Sequence, residues 1–142
     1  MVTNQAKTLL QQAEKAAQNA YAPYSGFLVG AAVETGSGKI YSGCNIENAS
    51  YGATVCAERV AIWKAVSEEV GAEKAAPMKI VRLAVFIKQE QPWPPCGLCR
   101  QVVAEFADDK TEIICGNHLG HAKIYLFKDL FPDSFGPSYL TE

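Results

Sequence analysis

Hydrophobic and polar positions change period several times along this chain, and each change marks an element. In residues 3–20 the apolar positions Leu9, Ala13, Ala16, Ala17 and Ala20 recur at helical spacing among Gln and Lys, which predicts an amphipathic first helix ending before Pro23. Residues 27–33 are apolar and residues 40–46 alternate, with Gly36, Ser37 and Gly38 between them. The pair reads as two antiparallel strands joined by a tight turn. Over residues 54–70 the helical period returns through Val55, Ala57, Val60, Ala61, Ile62, Ala65 and Val66, and Gly71 is placed to stop it.

Residues 79–87 form a nearly unbroken apolar run of strand length. A run without alternation implies cover on both faces, so this strand belongs in the middle of a sheet. Pro92, Trp93, Pro94 and Pro95 then break the chain before residues 96–106 resume helical spacing. Short strands follow over 111–115 and 122–127, and the tail from Leu130 reads as irregular. Strands interleaved with helices predict an α/β fold: a three-layer α/β/α sandwich whose opening hairpin makes an about five-stranded sheet mixed.

Composition narrows the picture. A chain of 142 residues suits one continuous core, so residues 1–142 are expected to form a single domain. With 49% hydrophobic and 20% charged residues, neither a disordered tail nor a membrane protein fits. The net charge of -2 and the absence of any Lys/Arg run argue against a polynucleotide partner. The first residues lack a secretory pattern and no segment approaches membrane-spanning length, so the expected compartment is the cytoplasm. Five cysteines cannot all pair, which leaves metal binding or plain burial to explain them.

Three of those cysteines fall at helix starts. Cys56-Ala57-Glu58 opens the second helix, and Pro95-Cys96-Gly97-Leu98-Cys99 opens the third. The positive end of a helix dipole favours thiolate, and zinc is the natural guest for such soft ligands. Three convergent thiols leave one position for water, the mark of a catalytic rather than a structural site. Glu58 could serve that water as base and then acid, or it could simply complement the helix end. Arg59 lies on the same face as Cys56 and could donate to the sulfurs, offsetting the charge of three thiolates; a solvated helix arginine fits the spacing equally well.

The segments CAERVAIWKAVSE and PPCGLCRQV resemble the two zinc motifs of the short, homotetrameric cytidine deaminases. The similarity continues through YAPYSGFLVGAAV, GCNIENASYG and LFPDSFGP, covering most of residues 21–137 in order. The resemblance implies one Zn2+ per chain on Cys56, Cys96 and Cys99, with Glu58 carrying protons during hydrolysis of cytidine, and of deoxycytidine, to the uridine product and ammonia. Asn45 and Glu47 alternate at the end of the second strand and by resemblance grip the ribose. Phe27 matches the aromatic residue beside the pyrimidine, although its pattern alone suits a core phenylalanine. Backbone groups near Ala57 and Pro95 are implied to orient the base edge. Phe135 matches a residue supplied by a neighbouring subunit, which implies a homotetramer acting on a pyrimidine nucleoside in salvage.

Tyr24 and Tyr51 fall in motifs resembling subunit contacts, where a buried tyrosine is an equal explanation. Cys44 and Cys115 read as small buried thiols, Trp63 as a helix-face core residue, and His118 and His121 as a weak metal spacing. The histidine pair departs from the asparagine-led turn expected of the family. Gln91-Pro92-Trp93-Pro94 is bulkier than its usual approach to the third helix and is expected to reshape the pocket rim. Alternatives are a deaminase of another aminopyrimidine nucleoside, of the antibiotic-inactivating type, a free-base deaminase, a non-catalytic zinc module closed by a fourth ligand, and a CGLC redox pair.

Overall fold

The computed structural model describes residues 2–70 and 78–140. Gly71, expected to stop the second helix, lies outside the described residues. Helix α1 (Asn4–Ala17) starts at Thr3, whose hydroxyl accepts the Ala6 N–H at 3.1 Å. It stops at Ala17 rather than continuing to residue 20, and the next residues tighten into i→i−3 bonds. Tyr21 is the reason: its backbone pairs with Asn45 and Glu47, a tertiary demand that overrides the helix preference of the preceding alanine.

Strands β1 (Val29–Thr35) and β2 (Ile40–Cys44) form the expected hairpin, with Gly38 at φ 81° in its turn. Strand β1 begins two residues later than the apolar run, because Phe27 and Leu28 are exposed and the Asn45 side chain takes over the ladder's end. Helix α2 (Ala57–Glu69) begins after Cys56, since Val55 is held extended by an antiparallel bridge to Ile46. Strand β3 (Ile80–Ile87), helix α3 (Gly97–Phe106), and strands β4 (Glu112–Asn117) and β5 (Ala122–Leu126) complete the sheet and its cover. The tail is less irregular than expected: a short helix α4 (Phe127–Leu130) follows β5, and a 3-10 turn spans Pro137–Tyr139.

The five strands run in the order β2-β1-β3-β4-β5, antiparallel except for the β3–β4 pair. The unbroken apolar strand is therefore central, and α3 supplies the crossover that a parallel pair needs. Alternate residues face opposite layers. Ala32, Ala84, Phe86 and Ile114 pack under α1, whereas Val33, Leu83, Val85 and Ile113 pack with Ala61, Ile62, Ala65 and Val103 of α2 and α3. This is the mixed three-layer α/β/α sandwich of the sequence reading.

Two glycines let the helices approach the sheet closely. A Cβ at Gly30 would collide with the Ala13 carbonyl oxygen of α1, and one at Gly43 would lie 2.6 Å from the Ala61 nitrogen of α2. The second contact seats the start of α2 over β2 and brings Cys56 towards the end of β3. Across β1, β3 and β4, Arg82 bridges Glu34 at 2.8 Å and Glu112 at 2.9 Å. No helix among the described residues is long and apolar enough to cross a membrane.

Candidate metal centre and active-site cavity

Cys56 and Cys96 are the N-cap residues of α2 and α3, and neither side chain makes a capping hydrogen bond. Both helix starts thus lack a cap from these side chains and direct their positive ends at thiols. Cys99, in the first turn of α3, is fully buried beside them. The three sulfurs lie within 4.8 Å of one another, and Cys56 Sγ and Cys96 Sγ are 3.8 Å apart.

That spacing fits zinc. Tetrahedral Zn–S bonds of about 2.3 Å place neighbouring sulfurs about 3.8 Å apart. Among the described residues no fourth Cys, His, Asp or Glu joins the cluster, so a site closed by protein ligands finds no support. Three thiols rather than two also set it apart from a redox pair. Cys56 is held below the ordinary thiol range by its hydrogen bond with Cys99 and, against burial, by Arg59. Cys99 itself is pushed up by that shared hydrogen bond and by burial.

Arg59 Nη2 lies 3.5 Å from Cys56 Sγ, which favours the sulfur partner over the solvated arginine that the spacing equally allowed. Its guanidinium also stands 5.9 Å from the Trp63 ring centroid. The buried Nε atom has no hydrogen-bond partner. A cation held there at the cost of an unsatisfied donor is consistent with charge compensation of the sulfurs. Trp63 corrects a sequence expectation: it is 51% exposed, because its side of α2 turns away from the sheet towards Arg59.

Glu58, next to Cys56, is only 4% exposed. Burial pushes its carboxyl up to about 7 and the charge on Cys56 adds to the rise, while its own backbone amide, Arg59 and Cys99 oppose it. A carboxyl in this state can take or give a proton near neutrality. It lines a cavity of about 230 Å³ together with Asn45, Glu47, Cys56, Ala57 and Trp93, floored by Val85 and Ile87 of the central strand. Hollows of about 290 and about 400 Å³ flank α1 and contain His121 and His118, but no cysteine lines either, so size alone does not locate the chemistry.

Asn45 and Glu47 do reach the same cavity, although β2 ends at Cys44 and they stand just beyond it. Asn45 is largely committed: Oδ1 accepts from Val29 N–H at 2.9 Å and Nδ2 donates to the Phe27 carbonyl at 2.8 Å. Glu47 Oε1 accepts from the Tyr24 and Ser25 amides at 2.9 and 3.0 Å. Hydrogen bonds from Ser25 hold its carboxyl below the ordinary range.

The other expected positions lie apart. Phe27 does not line the cavity; its ring packs edge-on against Trp93, with centroids 5.0 Å apart. Pro95 is buried, and its carbonyl accepts from Arg100 Nε at 2.8 Å. Phe135 is 55% exposed, stacked on Tyr139 and outside this chain's cavity. Tyr24 and Tyr51 are exposed and touch edge to face, which removes the buried-tyrosine explanation. Cys115 is buried and its thiol is raised to about 12 by that burial, whereas Cys44 is half-buried. His118 and His121 join no metal cluster among the described residues.

Two residues that fasten the segment between β3 and α3 had no reading in the sequence. Asn117 caps β4, with Oδ1 accepting from Leu119 and His121 N–H and Nδ2 donating to the Gln89 and Glu90 carbonyls. The turn bearing the histidine pair is thus asparagine-led after all. Arg100 ties the Pro95 carbonyl to the Leu130 carbonyl at 2.6 Å. Its place directly after Cys99 was the available signal.

Comparison with known proteins agrees with this arrangement. The family model of the cytidine and deoxycytidylate deaminase zinc-binding region matches residues 3–115. A cytidine deaminase of Halalkalibacterium halodurans is 42% identical over 127 residues, 89% of this chain and 91% of the relative. One of Sporosarcina psychrophila is 43% identical over 133 residues, 94% and 93% of the two chains. The crystal structure of cytidine deaminase from Burkholderia pseudomallei superposes with a TM-score of 0.81 at 40% identity, covering 91% of this chain and 98% of that one. The chain belongs to the cytidine deaminase family, and its Cys56, Cys96 and Cys99 form a cluster able to hold a metal ion, in keeping with the zinc-binding region of the family model.

Proposed function

We propose that this protein catalyses the hydrolytic deamination of cytidine and deoxycytidine, releasing ammonia and the uridine product in pyrimidine salvage. The observation that carries the reading is the buried carboxyl of Glu58 beside the Cys56, Cys96 and Cys99 thiols in one cavity. Zinc held by those thiols supplies a Lewis acid that makes hydroxide available near neutral pH. Glu58 takes the proton lost by the attacking water and delivers it to N3 of the pyrimidine, which leaves C4 electron-poor. Addition at C4 gives a tetrahedral carbon; Glu58 then takes the proton of the new C4 hydroxyl and passes it to the 4-amino group, so that the C4 carbonyl forms as the C–N bond breaks and ammonia departs. Water and cytidine thereby balance uridine and ammonia. Arg59 keeps the thiolate cluster from becoming too negative to assist.

Glu47, held ionised at the cavity, accepts a ribose hydroxyl; Asn45 has one remaining N–H and lone pair for the same task. The N–H groups at the start of α2, near Ala57, face the base edge. At about 230 Å³ the cavity falls below the roughly 300–1,000 Å³ of complete ligand pockets. A homotetramer in which a neighbour contributes Phe135 would complete it, and the exposure of Phe135 outside its own cavity supports that assembly. The sheet shared by all the described layers supports one domain over residues 1–142, and free thiols suit a cytoplasmic enzyme.

An ultraviolet assay against cytidine, deoxycytidine, cytosine and larger aminopyrimidine nucleosides tests the assignment. Turnover of the first two with little on the free base is expected. Activity confined to the larger nucleosides would overturn the substrate.

A further inference from the structure

We infer that Trp93 is a specificity-determining wall of the cavity, excluding pyrimidine nucleosides that carry bulk beside the reacting carbon; the inference rests on the nucleoside reading above. Trp93 lines the cavity with Glu58, Cys56 and Glu47, yet belongs to none of the helices that carry the metal cluster. It stands on the strap between β3 and α3, three residues before Cys96. Its ring is therefore placed by that strap.

The strap is fastened at both ends. Asn117 Nδ2 donates to the Gln89 and Glu90 carbonyls at 3.0 and 2.7 Å, and Arg100 Nε holds the Pro95 carbonyl at 2.8 Å. Between these anchors Trp93 is flanked by Pro92 and Pro94, whose rings fix φ and remove two backbone donors. Phe27 supports the indole from outside the cavity, edge-on at 69° between ring planes. A large flat side chain held by a stiff, doubly anchored segment and buttressed by a second ring acts as a fixed wall rather than a lid.

Its position tells which substituents it meets. The carbon that reacts must lie beside the thiol cluster and Glu58, and the sugar extends towards Glu47 and Asn45. The atoms next to the reacting carbon are the 4-amino nitrogen and C5. Groups attached there project to the metal side of the cavity, where the strap leading to Cys96 brings Trp93. Cytidine, bare at both positions, clears the ring.

The test compares kcat/KM for cytidine, N4-methylcytidine and 5-iodocytidine in the wild-type protein, Trp93→Ala and Trp93→Phe. Trp93→Ala is expected to raise the ratio of substituted substrate to cytidine by about tenfold or more, the scale on which apolar pockets discriminate single groups. Trp93→Phe, which keeps a ring, should stay near the wild type. If the alanine variant does not fold, Trp93→Leu carries the same prediction, because a substrate ratio is insensitive to how much enzyme is active. Equal ratios in wild type and variants, with cytidine turned over, would overturn the role of Trp93 alone. Failure of the wild-type protein to deaminate cytidine would overturn the nucleoside reading and this inference with it.

Discussion

Helix α2 carries one glutamate near its start and another at its end, and their surroundings drive them in opposite directions. Glu58 is buried at the cavity, and burial raises its carboxyl to about 7. Glu69 is also opposed by burial, but its Oε1 accepts from Thr35 and Ser37 hydroxyls, both at 2.7 Å, and from Tyr41 at 3.1 Å, which together hold it below the ordinary range. Hydroxyl donors stabilise the ionised form at Glu69 and staple the helix to the β1–β2 hairpin. At Glu58 no comparable set of donors compensates, so the carboxyl keeps a proton affinity suited to transfer rather than to stability. The same contrast marks the helix start, where Cys56 leaves backbone donors uncapped that a serine would satisfy.

The contrast can be broken first at Cys56. Cys56→Ser supplies a good helix cap but removes a soft ligand, so metal affinity is expected to fall more than about 100-fold, beyond the usual effect of changing a residue that only supports a ligand. Metal content after dialysis reads the loss, while the metal-free variant should melt no lower than the metal-free wild type. A metal-free variant that melts well below it would show that Cys56 is chiefly a packing residue.

A smaller effect sharpens the other end. Glu69→Gln weakens three hydrogen bonds to a charged acceptor and should cost about 1 kcal/mol at neutral pH. Because the folded protein holds Glu69 below its ordinary value, the stabilisation is present above that value and is lost as pH falls through the folded one. Denaturant melts at neutral and acidic pH should therefore converge for variant and wild type on acidification. A difference that grows as pH falls would contradict the assignment.

Much of this was legible along the chain, and the failures share a cause. The central place of β3 followed from an apolar run covered on both faces, and the hairpin from its glycine turn. The cysteine trio followed from two helix starts, since a ligand at an N-cap is a local feature. What local pattern could not show was set by distant partners. Tyr21 ends α1 early by pairing with residues 45 and 47, and Phe27 leaves the expected core to support Trp93. Trp63 matched the helical period yet points outward, because α2 is nearly as apolar on that side and its neighbour Arg59 draws the ring. Asn117 acts on a loop 28 and 27 residues away in sequence, where neither motif nor period marks it, whereas Arg100 sits beside Cys99 but also reaches the distant Leu130 carbonyl.

The most direct test of the account replaces Glu58 by alanine and measures ammonia release from cytidine alongside metal content. A group that moves protons but does not hold the metal should, when removed, lower kcat by about 10²–10⁴-fold. Zinc should stay near one per chain and the melting temperature should not fall, since a buried carboxyl has been relieved. Turnover close to wild type with the metal in place would contradict the central claim that Glu58 carries the protons of the reaction.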